Sequence, residues 1–381
     1  MNAAMALRCL IGLNLSWVGP LIPVIARAQT ASLAEAGFLV SSYYLGAIPP
    51  MVTGRWFLAK FGMRGCLTMA SALMALGLAT VALGTGMPML WSGSLIFGTG
   101  AGLAVISGSV YALSCGRDNP ASLLNKLAMF YGVGALSGPL VAWAGTNTAW
   151  SYHAVYAFGT LYAVCAGFFL WRSAAQTAVE DLQTERYSGE RQAHKYADVW
   201  MCSLLLLLYI GVEIGATAWL YTYLTRAGGH GDGAGALGVS FLCVGLTFGR
   251  FVGIHLCRRF SLDRITSIFM LIATGSLTAL SIFPKMGLVA LAVSALCGMG
   301  FGPVYPNILA AVNARHPDEV DRVTPIVVSV SFVGGIFMPF LIALVFEHVG
   351  LQEGMGLVAL TSALVFVFYL FVRARYLRKT A

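Results

Sequence analysis

The chain has 381 residues, of which 58% are hydrophobic and only 10% charged, with a formal net charge of +8 and a mean hydropathy of +0.80. A soluble domain typically carries about 25% charged residues, so this composition excludes a water-soluble globule. The positive balance follows from how charges are placed around a membrane and is not a nucleic-acid footprint.

A helix needs about 20 apolar residues to cross the hydrocarbon core, and such windows can be placed twelve times. They run from Met5 to Ala28, Gly37 to Leu58, Cys66 to Thr85, Pro88 to Cys115, Leu123 to Ala144 and Tyr152 to Trp171. After a polar stretch from Arg172 to Ala197 they resume as Val199 to Leu224, Ala234 to Cys257, Ile265 to Phe283, Gly287 to Val312, Pro325 to Glu347 and Gly354 to Val372. The runs are continuous rather than alternating, so helices are expected and a β-barrel is not. The first window is long, contains Arg8 and lacks a small-residue cleavage site, so it is read as a span and not a signal peptide.

Every Lys and Arg except Arg8, Arg27, Arg226 and Lys285 falls on one side, in loops after even-numbered spans or in the C-terminal tail. By the positive-inside rule that side is cytoplasmic, which places both termini inside a bacterial inner membrane. Arg8 is expected to snorkel near the cytoplasmic end of its helix. The eight cysteines show no CxxC pairing or metal spacing and read as packing residues. The six histidines lie in or near loops without a nucleophile or metal partner, and there is no Walker loop. No enzyme, cofactor, metal or nucleic-acid partner is expected.

The landmarks of the first half return in the second. Gly54 and Arg55 recur as Gly249 and Arg250, Lys60 and Phe61 as Arg259 and Phe260, Gly98, Gly100 and Gly102 as Gly298, Gly300 and Gly302, and Gly134 and Pro139 as Gly334 and Pro339. This predicts an all-α polytopic protein of two six-helix halves, residues 1–171 and 198–381, joined by a linker over 172–197. Parallel repeats of this kind place a substrate site between the halves near the midplane. Glycines two and four apart let neighbouring helices approach closely. Pro139 and Pro339 are candidate hinges. The basic residues Arg55, Lys60, Arg64, Arg250 and Arg259 are candidates for gating, with headgroup anchoring as the plainer role.

Glu213 stands out as an acid deep inside an apolar run, where an ionised carboxylate costs roughly 2.5 to 3.5 kcal/mol even on lenient scales. Tyr209, Glu213 and Thr217 share one stripe of their helix, with Tyr221 a turn further. Low-dielectric surroundings favour the neutral form of a carboxyl group, so Glu213 is a candidate proton carrier; a neutral structural latch is the alternative. Sugar-like solutes pair with aromatic faces, amides and hydroxyls, and Asn14, Trp17, Tyr44, Ser107, Tyr111, Tyr305 and Asn307 supply them from other spans. For each taken singly, interhelical packing accounts for it as well.

The segments Tyr209 to Leu224, Gly249 to Phe260, Gly302 to Ile308 and Val333 to Phe340 resemble the seventh, eighth, tenth and eleventh helices of the fucose:proton symporter family, within the major facilitator fold. The loop GRWFLAKFGMR, Gly54 to Arg64, is similar to the major facilitator loop signature at Lys60, Gly62 and Arg64, and departs from it at Ala59, where an acid is expected. The resemblance implies that Glu213, with Trp219 beside it, lies near a central cavity. It also implies acids on the first and fourth helices, where this chain offers Asn14 or Ser16 and Ser107. A monomeric secondary transporter of a small polar solute, such as a sugar, is therefore expected, coupled to protons through Glu213, with sodium open as the ion. The stretch Gly132 to Pro139 is a fragment of an exporter signature and keeps export as an alternative. A transporter-like receptor that binds without translocating is a third.

Overall fold

The computed structural model describes residues 2–115, 120–172, 196–257 and 259–377. The linker expected over 172–197 lies almost wholly outside the described residues, as do the side chains of Arg55 and Tyr111. Among the described residues there are twelve α-helices and no strand. They are α1 (Asn2–Ala28), α2 (Leu33–Leu83), α3 (Met87–Cys115), α4 (Pro120–Thr146), α5 (Ser151–Arg172), α6 (Ala197–Arg226), α7 (Asp232–Leu256), α8 (Leu262–Ile282), α9 (Val289–Phe301), α10 (Val304–Arg315), α11 (Val320–His348) and α12 (Leu351–Val372).

The count of twelve agrees with the sequence, but two of its divisions do not. The second and third expected spans form one long helix, α2, broken at Gly62, and the tenth is split into α9 and α10 at Gly302 and Pro303. Among the described residues, eleven helical stretches are apolar and long enough to cross a membrane. The expected Gly37 to Leu58 span is not among them. It is helical, but Ser41, Ser42, Tyr43 and Tyr44 dilute its hydropathy, and all four turn into the protein, where they are buried.

Gly62 adopts φ 65° and ψ 175°, a region that side chains with a Cβ avoid. A Cβ there would meet no atom within 4 Å, so backbone conformation alone demands the glycine. Gly62→Ala is expected to destabilise the protein by about 1–3 kcal/mol. Gly275→Ala, at an open helical position with ordinary torsions, is the matched control and should cost nothing; thermal unfolding of the two in detergent checks the difference.

The chain divides into two compact units, one of Met1–Ala31 with Ser42–Arg191, the other of Ser32–Ser41 with Gln192–Ala381. Residues 32–41, at the start of α2, thus group with the second half. Ser41 Oγ donates to the carbonyl of Ile336 at 2.6 Å, Phe38 packs edge-on against Phe340, and Gly37 lies under the Trp219 ring.

Within each unit the repeated glycines do the same work. In the first, Gly98 and Gly102 of α3 rest on the carbonyls of Tyr43 and Ala47 in α2, while Gly100 rests on Ala70 and Met74 beyond the break. In the second, Gly298 and Gly302 rest on the carbonyls of Leu242 and Leu246 in α7, while Gly300 rests on Phe269 and Ala273 of α8. Gly134 of α4 meets the Cys9 carbonyl of α1, and Gly334 of α11 meets the Leu207 carbonyl of α6. Backbones this close leave no room for a Cβ. Gly138 likewise packs on Leu13 and Ser16 of α1, so tight packing accounts for the glycines that suggested an exporter signature.

These contacts also correct the repeat register. Tyr43 corresponds to Leu242 and Ala47 to Leu246, so the counterpart of Gly54 is Gly253, and Gly249 falls opposite Pro50. Arg250 is therefore not the second copy of Arg55. It stands one helical turn deeper in its span.

Candidate functional site

In the second unit, the middle of α6 places Tyr209, Glu213 and Thr217 on successive turns. Glu213 is 9% exposed. Tyr209 lies one helical turn before Glu213, and its hydroxyl donates to the carbonyl of Phe301 at 2.6 Å. Phe301 is the last residue of α9, so its carbonyl is released from regular helical bonding by the break before α10. The break is written in the sequence as Gly302-Pro303.

Arg250, on α7, lies within electrostatic range of this group. Its charge acts on Glu213, Tyr209 and Tyr305, although no direct ion pair with Glu213 forms among the described residues. Tyr305, on the first turn of α10, sits beside Ser331 of α11. Residues of α6, α7 and α10 thus place a cation and two phenols within electrostatic range of one buried carboxyl.

Of the residues singled out in the sequence, Glu213, Tyr209, Tyr305 and Arg250 come together. Others do not join them. Thr217 Oγ1 is bonded back to the Glu213 carbonyl at 2.8 Å, which ties it to its own helix. Asn307 turns the other way, donating to Thr266 Oγ1 at 3.1 Å. Trp219 is fully buried between α6 and α11, its Nε1 donating to the Pro339 carbonyl at 2.8 Å and its ring edge-on to Phe346. This is a packing role. Trp219→Phe should cost about 1–2 kcal/mol through the orphaned carbonyl and lost donor while leaving solute affinity unchanged, as thermal unfolding and a binding isotherm would show. A tenfold loss of affinity at unchanged stability would instead put Trp219 against the solute.

In the first unit Trp17 is buried edge-on against Tyr156 of α5, and Ser107 is buried beside Cys66. Asn14 is buried in α1, and Tyr44 packs edge-on to Tyr43 in α2. Among the gating candidates, Lys60 lies over the Trp56 ring at 4.9 Å, Arg64 is engaged, and Arg259 is exposed. α4 runs through Pro139, and α11 through Pro339, as single helices.

Sequence reasoning missed two arrangements. Arg8 does not snorkel: its Nη2 turns into the bundle and donates to the Val105 carbonyl and Ser109 Oγ, both at 3.1 Å. Asp198 at the start of α6 receives Arg315 Nε at 2.8 Å and His316 Nε2 at 3.0 Å, which binds that end of α6 to the end of α10. The adjacent Arg315 and His316 at a helix end were the available signal for the second. Nothing in hydropathy distinguishes an inward Arg8 from an outward one.

The sequence pattern of the Major Facilitator Superfamily matches residues 4–339. The chain is 21% identical over 340 residues to a glucose/mannose transporter of Bacillus subtilis (strain 168), covering 85% of this chain and 82% of the relative. Among solved structures, a D-xylose-proton symporter superposes with a TM-score of 0.81 at 15% identity, covering 97% of this chain and 96% of that one. The Escherichia coli fucose:proton symporter superposes at 0.65 with 18% identity, covering 97% and 98%. With the duplicated helix packing, the family match over most of the chain settles the assignment: the chain belongs to the Major Facilitator Superfamily, whose members are transporters and not enzymes.

Proposed function

We propose that the chain is a secondary active transporter that moves a small polar solute of sugar-like character, coupled to protons through Glu213. The observation that carries this reading is the hydrogen-bond arithmetic around Tyr209. A phenol has one proton to give, and Tyr209 gives it to Phe301. With that proton committed its oxygen can only accept, so on this reading it pairs with Glu213 while the carboxyl is protonated. When Glu213 ionises, the phenol is drawn toward the carboxylate and away from Phe301, at the break between α9 and α10. Protonation is thereby linked to a flexible point in a span, and Arg250 stabilises the ionised state when the proton leaves.

The glucose/mannose transporter among the relatives supports a sugar-like solute. The asymmetry of basic residues supports an inner-membrane orientation with both termini in the cytoplasm, and nothing in the reading needs more than a monomer. Purified protein in proteoliposomes, given an inward proton gradient and radiolabelled neutral hexoses, tests it. Accumulation that collapses with a protonophore supports the reading; uptake indifferent to the gradient removes the proton from it.

A further inference from the structure

The first unit carries a partly buried cation, Arg8, with no counter-charge among the described residues. Arg8 is held along one edge by α3, where Nη2 meets the Val105 carbonyl and Ser109 Oγ. Its Nε is buried and has no hydrogen-bond acceptor. Tyr43 of α2 and Tyr131 of α4 lie within electrostatic reach of the guanidinium. The described residues of this unit contain no Asp or Glu at all. Charges within a membrane are costly and ordinarily find a partner of opposite charge; Arg8 has only the neutral Val105 carbonyl and Ser109 hydroxyl as hydrogen-bond partners among the described residues.

The space beside Nε is also unusual. Gly98, Gly100, Gly102, Gly12 and Gly134 are all pressed against a neighbouring backbone. Gly108 is not: a Cβ there would meet Leu127 at 3.7 Å and Arg8 Nε itself at 4.0 Å, ordinary contact distances. Packing does not require this glycine. Its missing side chain leaves a space of about methyl size next to Nε, the fully buried Arg8 nitrogen that lacks an acceptor among the described residues.

We infer that Arg8, with Ser109, Tyr43 and Tyr131 around it and Gly108 keeping the space open, forms a receptor for an oxyanion, a carboxylate or phosphate group. The N–H at Nε can donate a charge-assisted hydrogen bond to such a group, and phenol hydroxyls can donate to oxyanions as well. The group arrives either on the transported solute, which makes that solute an acid such as a sugar acid, or on a lipid headgroup. The solute form rests on the reading of the chain as a transporter. It narrows that reading from polar solutes to anionic ones.

The test measures thermal shifts and binding isotherms of the full-length protein. The probes are D-gluconate, acetate and inorganic phosphate, set against D-glucose and chloride at matched ionic strength, in phosphatidylcholine nanodiscs and again with phosphatidylglycerol added. Binding of an oxyanion probe at least tenfold tighter than D-glucose, lost in Arg8→Gln and partly kept in Arg8→Lys, supports the solute form. Stabilisation by phosphatidylglycerol alone, lost in Arg8→Gln, supports the headgroup form. Gly108→Val keeps the charge and fills the space, so it should weaken whichever response is seen; it also serves if Arg8→Gln fails to fold. Wild type that prefers no oxyanion over its neutral control, in either lipid, overturns the proposal. Accumulation of a neutral hexose together with that result would leave the transporter reading standing. Oxyanion binding without uptake of any probe would do the reverse.

Discussion

Glu213→Gln is expected to reduce proton-driven accumulation to equilibration while leaving exchange of labelled solute measurable. With one proton moved per solute, a gradient of one pH unit is worth about 1.4 kcal/mol and sustains about tenfold accumulation. Glutamine has the shape of the protonated acid, and its amide could donate to the Tyr209 oxygen as a neutral carboxyl would under the proposed coupling. It cannot release a proton. The variant should therefore hold the arrangement in which Tyr209 serves Phe301, with its accumulation ratio near one and its exchange rate independent of pH. Tyr209→Phe separates coupling from simple packing: it keeps the ring and removes the side-chain donor to the Phe301 carbonyl, so it should disturb coupling at a stability cost of about 1 kcal/mol. Uptake and counterflow in the same proteoliposomes read both. Full accumulation by Glu213→Gln with an unchanged pH profile would falsify the carrier role and leave Glu213 as a latch.

The second large effect is on folding. Gly298→Val should abolish the folded protein or destabilise it by at least about 3 kcal/mol, the upper end of what overpacking ordinarily costs. The added atoms would run into the Leu242 carbonyl and the backbone nitrogen of Leu246 at 2.9 Å, neither of which can turn aside as a flexible side chain does. Gly98→Val should behave alike in the first unit, because Gly98 rests on the Tyr43 carbonyl in the same way. Gly275→Ala separates this from a general dislike of substitution, since its position is open. Size-exclusion profiles and thermal unfolding in detergent decide the matter. A monodisperse Gly298→Val of normal stability would mean that α7 and α9 are not packed as closely as the structure has them.

Much of this architecture is legible in the sequence. Continuous apolar runs had to be helices because lipid offers the backbone no hydrogen-bond partner. The repeated glycines announced both the duplication and close helix packing, since few other features demand glycine on a helix face. Gly62 was marked by the loop signature, and the structure supplies its reason in a positive φ. Glu213 was visible as a carboxyl at a depth where lipid makes charge expensive.

The remainder depended on rotation and register, which composition does not carry. A span tells how apolar its surroundings are, but the direction in which each polar residue points is fixed by the helix beside it. Trp219 and Asn307 look like ligands in a list of residue types; packing turns one to Pro339 and the other to Thr266. Arg250 looked like the copy of Arg55 until the carbonyls under Gly298 and Gly302 set the register and moved it a turn deeper, within electrostatic range of Glu213. Arg8 looked like an anchor for headgroups until α3 was seen to receive it. The sequence alone determined the membrane, the helices, their duplication and the presence of an acid to be explained. Only the tertiary structure decided the company that acid and the two arginines keep, because an interaction across helices exists only once close packing has fixed which faces meet.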